Sequence, residues 1–209
     1  MRIQWMFGIS LAALLMTSAA ATNTHADPGT DDAHIIALAY GGTGCPAGSI
    51  DLQMDSAASW LTVTFNRFLA QTGPNVALSE SRKNCQMNLL IHVPTGMQYA
   101  VTSIEQHGFA ALADGVDGMV KNSYYFQGQA PTSSKWRVFH GPGAFDWDFA
   151  DETDFDDLVW SPCNVQRSLN INAQLQIRKG TSSPDAESFM TLDSEHIDQT
   201  YHLVWRACN

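Results

Sequence analysis

The sequence predicts an all-β fold, an antiparallel β-sandwich of about ten strands closed by disulfides. Three observations carry that expectation. Apolar and polar residues alternate with period two in five separate runs, the pattern of strands with one buried and one wet face. Clusters rich in Gly, Pro, Asn, Asp and Ser interrupt the chain between those runs, where tight turns require them. One segment only, 150–159 (ADETDFDDLV), invites a helical reading, and it is too brief to build an α/β fold.

Taken in order, the chain opens on an address. Arg2 precedes an apolar run at 7–16 (FGISLAALLM), and small residues follow at 18–21. That is the layout of a secretory signal peptide, and the run is shorter than the ~20 residues that span a bilayer. Small-x-small sites place cleavage after Ala21 or after Ala26. The second leaves less polar chain before the first strand, so 1–26 is read as the signal peptide and 27–33 (DPGTDDA) as a polar leader. Residues 34–209 then form one domain, expected in a secreted or extracytoplasmic location.

The strands follow. A first is expected at 35–39. Ile50, Leu52 and Met54 alternate with Asp51 and Gln53. Leu61, Val63 and Phe65 alternate with Thr62 and Thr64, and Met87, Leu89, Ile91 and Val93 with Asn88 and His92. Further strands are expected at 97–112, 119–127, 135–139, 144–149 and 187–192. Leu169, Ile171, Ala173, Leu175 and Ile177 alternate with Asn170, Asn172, Gln174 and Gln176, and Tyr201, Leu203 and Trp205 repeat the period near the end. About ten such strands bury their apolar faces by stacking as two sheets. No internal repeat suggests a propeller or solenoid.

Composition narrows the partners. With 44% hydrophobic residues the chain is too apolar for disorder. Its 21 acidic residues against 11 basic ones give a net charge of −10, which argues against nucleic acid or an anionic membrane, since either needs a basic patch. No apolar stretch after the signal reaches transmembrane length, so no membrane insertion is expected. The four cysteines, Cys45, Cys85, Cys163 and Cys208, are an even set in an exported chain and read as two disulfides, with three connectivities open. Their wide spacing matches no zinc motif.

The segments YGGTGCP (40–46), SRKNCQMNL (81–89), YYFQG (124–128), WSPC (160–163), LNIN (169–172) and WRAC (205–208) together resemble the secreted proteins of the domain of unknown function 4360 family. The resemblance runs from about Ile35 to Cys208. It implies a secreted, disulfide-bonded, β-rich domain with no assigned activity, and it implies the pairing Cys45–Cys85 and Cys163–Cys208. It carries over no catalytic residues.

The residues that could do chemistry are few. Seven carboxylates lie in the twelve residues from Asp146 to Asp157. Such a cluster repels itself unless a cation or water screens it, so Asp146, Asp148, Asp151 and Asp154 are the candidate ligands of a weak calcium site. The EF-hand spacing and its turn glycine are missing, and a solvated acidic loop and edge strand is the competing reading. No cofactor is expected beyond that weak calcium site. The mature histidines show no HxH or HExxH pair, and His25 would matter to copper chemistry only if it became the N-terminus. Gly41-Gly42-Thr43-Gly44 lacks the Lys-Ser of a phosphate loop and reads as a turn that positions Cys45. No GxSxG elbow occurs. No catalytic residue is assigned, although Glu105, Asp146 and Asp148, acids with apolar neighbours, are where a general acid would be sought.

Aromatic residues complete the list. Tyr124, Tyr125, Trp136 and Trp147 are candidate ligand-binding residues. Adjacent Tyr124 and Tyr125 must face opposite sides of a strand, so one of them is expected at the surface, where a ring can stack on a sugar. The expected function is a non-catalytic secreted binding domain directed at carbohydrate or cell-surface components. Two alternatives stand beside it: a secreted hydrolase or metal-dependent enzyme using carboxylates, and a structural or host-interaction protein.

Overall fold

The computed structural model describes residues 29–30, 32–130, 132–192 and 198–208. The expected signal peptide, part of the leader and His25 lie outside them. Twelve strands follow in chain order: β1 (His34–Gly41), β2 (Ile50–Met54), β3 (Trp60–Phe65), β4 (Leu69–Thr72), β5 (Arg82–His92), β6 (Met97–Leu112), β7 (Asp117–Phe126), β8 (Ser133–His140), β9 (Gly143–Glu152), β10 (Leu169–Arg178), β11 (Ser188–Thr191) and β12 (Asp198–Ala207). They make an antiparallel sandwich. One sheet has the order β1-β5-β10-β7-β8. The other has the order β2-β3-β12-β6-β11-β4, with β9 on the free side of β6.

The period-two runs become the inner faces. Leu61, Val63 and Phe65 from β3 meet Met87, Leu89 and Ile91 from β5, Val120 and Phe126 from β7, and Leu169, Ile171 and Leu175 from β10, all essentially inaccessible to water. Each such side chain contributes ~1.5–3 kcal/mol through the water it sheds. Two elements depart from expectation. Strand β4 has no signal in the sequence, because Leu69–Thr72 is too short to show a period; pairing with β11 makes it a strand. The segment 150–159 continues β9 to Glu152 and then makes one 3-10 turn at Phe155–Asp157.

Cys45 pairs with Cys85 and Cys163 with Cys208. The glycine-rich turn seats the first bridge. Gly44 N–H donates to Asn84 O at 2.9 Å, and a Cβ on Gly42 would collide with that same carbonyl. Only a residue without a side chain lets the turn lie so close to β5.

A closed polar network spans the two sheets inside this apolar core. Gln106 Oε1 accepts from Asn122 Nδ2 at 2.9 Å and from Gln199 Nε2 at 3.0 Å. The Tyr201 hydroxyl lies 2.9 Å from Gln199 Oε1 and 3.2 Å from Asn122 Oδ1, its one proton shared between them. All four side chains are buried. Satisfied in this way, they escape the penalty of unpaired buried amides.

Candidate functional site

The outer face of the five-stranded sheet is the candidate site, and its chemistry follows from strand parity. Cys85, Met87, Leu89 and Ile91 turn inward, so Arg82, Asn84, Gln86 and Asn88 turn outward. On β10 the same rule sends Asn170, Asn172, Gln174 and Gln176 outward, and on β7 Met119, Lys121, Ser123 and Tyr125. The register aligns them in rows across the strands. One row is Tyr125, Asn170 and Asn88. The next is Ser134, Ser123, Asn172 and Gln86. The third is Trp136, Lys121, Gln174 and Asn84, and the fourth is Val138, Met119, Gln176 and Arg82. Rows lie two residues apart, ~7 Å, and strands ~4.8 Å apart.

The amides brace one another and keep spare capacity. Asn88 Nδ2 donates to Asn170 Oδ1 at 2.9 Å, Asn172 Nδ2 to Gln86 Oε1 at 3.1 Å, and Arg82 Nη2 to Gln174 Oε1 at 2.9 Å. That leaves the carbonyl oxygens of Asn88 and Asn172 and the amide nitrogen of Gln174 without a partner among the described residues. An amide offers two donor and two acceptor positions, so the partly exposed Asn84, Gln86, Asn88, Asn172 and Gln176 present donors and acceptors to solvent, while Asn170 and Gln174 between them are buried, each 8% exposed. Two aromatic planes flank it. Trp136 is 63% exposed and Tyr125 38% exposed.

The other two aromatic candidates are interior. Tyr124 is 1% exposed and donates from its hydroxyl to Val101 O at 3.0 Å. Burial raises its phenol above the ordinary value. Trp147 is buried against Phe139 and Phe149, at 5.5 Å between ring centroids in each case. Neither presents a ring to solvent.

The acidic candidates separate as well. Asp146 and Asp148 are exposed on the outer side of β9. Asp151 is on its inner side, buried, with Oδ1 2.7 Å from Arg137 Nη2. Asp154 is exposed beyond the strand. A run of acids along a strand alternates faces, so these four do not converge. Among the described residues no group of three or more His, Cys, Asp or Glu is placed to hold a metal ion. Glu105 lies on the outer face of the other sheet, 3.0 Å from His202 Nε2.

The sequence holds one signal of the amide rows. Two separate segments carry amides at every second position, 84–88 and 170–176. What the sequence does not show is that β5 and β10 are neighbours in matching register.

The model of a family described as a domain of unknown function (DUF4360) matches residues 31–208. An uncharacterized secreted protein of Arthroderma benhamiae is 37% identical over 183 residues, which are 87% of this chain and 74% of that protein. Together with the two disulfides it marks this chain as secreted. Among solved structures, a chain from the cryo-EM structure of broad bean stain virus covers 78% of this chain and 91% of its own length, at 10% identity and a TM-score of 0.26. A likeness that loose carries nothing about function.

Proposed function

This secreted chain belongs to the domain of unknown function 4360 family, and from its geometry we propose that it is a non-catalytic binding protein whose outer five-stranded face takes carbohydrate. The observation that carries this reading is the joining of exposed Trp136 and Tyr125 to a braced field of amides on one sheet face. A pyranose ring has an apolar C–H face and a rim of hydroxyls. Aromatic planes cover the first, and amides donate to and accept from the second. The amides are pre-positioned by their mutual hydrogen bonds, so little side-chain entropy is lost when a sugar displaces water from them. A face of four rows across four strands suits an extended polysaccharide better than a single small sugar.

The test is a glycan array and a pull-down on insoluble polysaccharides, both neutral and acidic, with the wild type, Trp136→Ala and Tyr125→Ala. The wild type should bind, and each variant should lose at least about tenfold in affinity, as anchoring aromatics do. Both side chains are exposed, so unfolding free energy should stay within about 0.5 kcal/mol of wild type. A wild type that binds no glycan, or variants that bind as it does, would defeat the proposal.

A further inference from the structure

We infer that the polysaccharide taken by this face is acidic, and that Lys121 receives its carboxylate. The inference rests on the carbohydrate reading above and goes on to name the ligand's charge. Asp32 lies at one end of the face, bound to His92 at 3.1 Å. Asp117 lies at the other, bound to His140 at 2.6 Å and opposite Arg178. Between them the four rows hold two cations, Arg82 and Lys121, and no carboxylate. The Arg82 guanidinium is engaged by Gln174. Lys121 has no hydrogen-bond or ion-pair partner among the described residues.

Its position is specific. Lys121 stands in one row between Trp136 on β8 and Gln174 on β10. A sugar ring stacked on Trp136 therefore lies one strand spacing, ~4.8 Å, from the lysine's strand, within reach of a four-carbon side chain. The ammonium is a compact point charge with three donors. It can take one carboxylate oxygen while the partly exposed Asn84 amide in the same row takes a neighbouring hydroxyl.

The opposite face has the other sign. The register of the second sheet turns Asp51, Glu105, Asp146, Asp148 and Glu152 outward. The cation among its described outward side chains, Arg206, is stacked on Trp160 with its guanidinium carbon 3.7 Å from the ring centroid. An anionic chain is thus repelled by most of this acidic molecule and accepted on one face, so charge sets the orientation of binding. Sulfated chains are matched by clusters of Lys and Arg. A single ammonium set among amides fits one carboxylate per binding position instead.

The experiment is titration calorimetry of the secreted protein with polygalacturonate, with a neutral glucan, heparin and oligothymidylate as controls. The wild type is expected to bind polygalacturonate at least tenfold more tightly than the neutral glucan, with affinity falling as salt rises. Lys121→Met should lose about tenfold on polygalacturonate and nothing on the neutral glucan, and Lys121→Arg should retain the preference. Denaturant unfolding of each variant confirms that it is folded. Equal binding of both polymers, or an unaltered preference in Lys121→Met, overturns the acidic assignment. The carbohydrate reading then stands, provided Trp136→Ala still weakens binding at least about tenfold. Heparin or oligothymidylate bound as well as polygalacturonate overturns the carboxylate assignment. Binding to no polymer at all removes both readings.

Discussion

Tyr99, Tyr124 and Tyr201 sit between the sheets with their hydroxyls out of reach of water. Burial disfavours the phenolate, so each is held above the ordinary value of 10.0. The consequence for stability has a definite sign. Above pH 10 the unfolded chain gives up these protons while the folded chain keeps them, so stability present below pH 10 is lost as pH rises. The slope is about 1.4 kcal/mol per pH unit for each tyrosine. Denaturation midpoints measured from pH 9 to 11.5 should fall steeply past pH 10, and phenolate absorbance from these three should appear only with unfolding. A midpoint unchanged through pH 11 would show that they do not remain protonated in the fold. For Tyr201 ionisation would also remove the one donor that serves Asn122 and Gln199.

At the scale of elements, β6 organises the second sheet. Its sixteen residues pair with β12 and β11 along one side and β9 along the other. A bulge lets it do so: opposite His202 and Leu203 the register skips Thr102, whose hydroxyl donates to His202 O at 3.2 Å. Bulges bend and twist the strand that bears them. Beyond the bend, Gly108 lets Trp147 of β9 and the backbone of β11 close over β6, for a Cβ there would collide with the indole and with Thr191 O. Gly108→Ala should therefore destabilise by ~2–3 kcal/mol through overpacking. Urea denaturation followed by tryptophan fluorescence would measure it, and a change below about 0.5 kcal/mol would show that the neighbours make room.

For the whole molecule, the two disulfides act on the unfolded chain. They close loops with sequence separations of 40 and 45 residues, and the chain-entropy model assigns each ~4 kcal/mol at most. Domains are stable by only ~5–15 kcal/mol. Cys45→Ala with Cys85→Ala should lower stability by up to ~4 kcal/mol and leave a folded protein, whereas removing all four cysteines should leave little or no folded fraction. Circular dichroism at 37 °C distinguishes these outcomes, and a four-cysteine variant with native melting would show that packing alone suffices. The molecule is also polar in charge, with cations on the amide face and carboxylates on the other. That arrangement would orient it on an acidic matrix.

The sequence by itself determined the class of fold and the side each residue takes. Alternation at 61–65, 87–93 and 169–177 places apolar groups on one face whatever the neighbours are. It also separates Tyr124 from Tyr125, and Asp146 and Asp148 from Asp151. The cysteine count implied two bridges, and the resemblance implied their pairing. Only the tertiary structure decided which strands adjoin. Trp136 and Trp147 both sit on alternating strands, yet one is 63% exposed and the other 5%. Parity says that neighbouring residues face apart, and the position of the second sheet says which of the two faces is dry. The same applies to the candidate site. Asn84, Gln86 and Asn88 lie more than eighty residues from Asn170, Asn172 and Gln174. They become one surface because β5 and β10 pair in matching register, a long-range choice made by the fit of the buried faces beneath them.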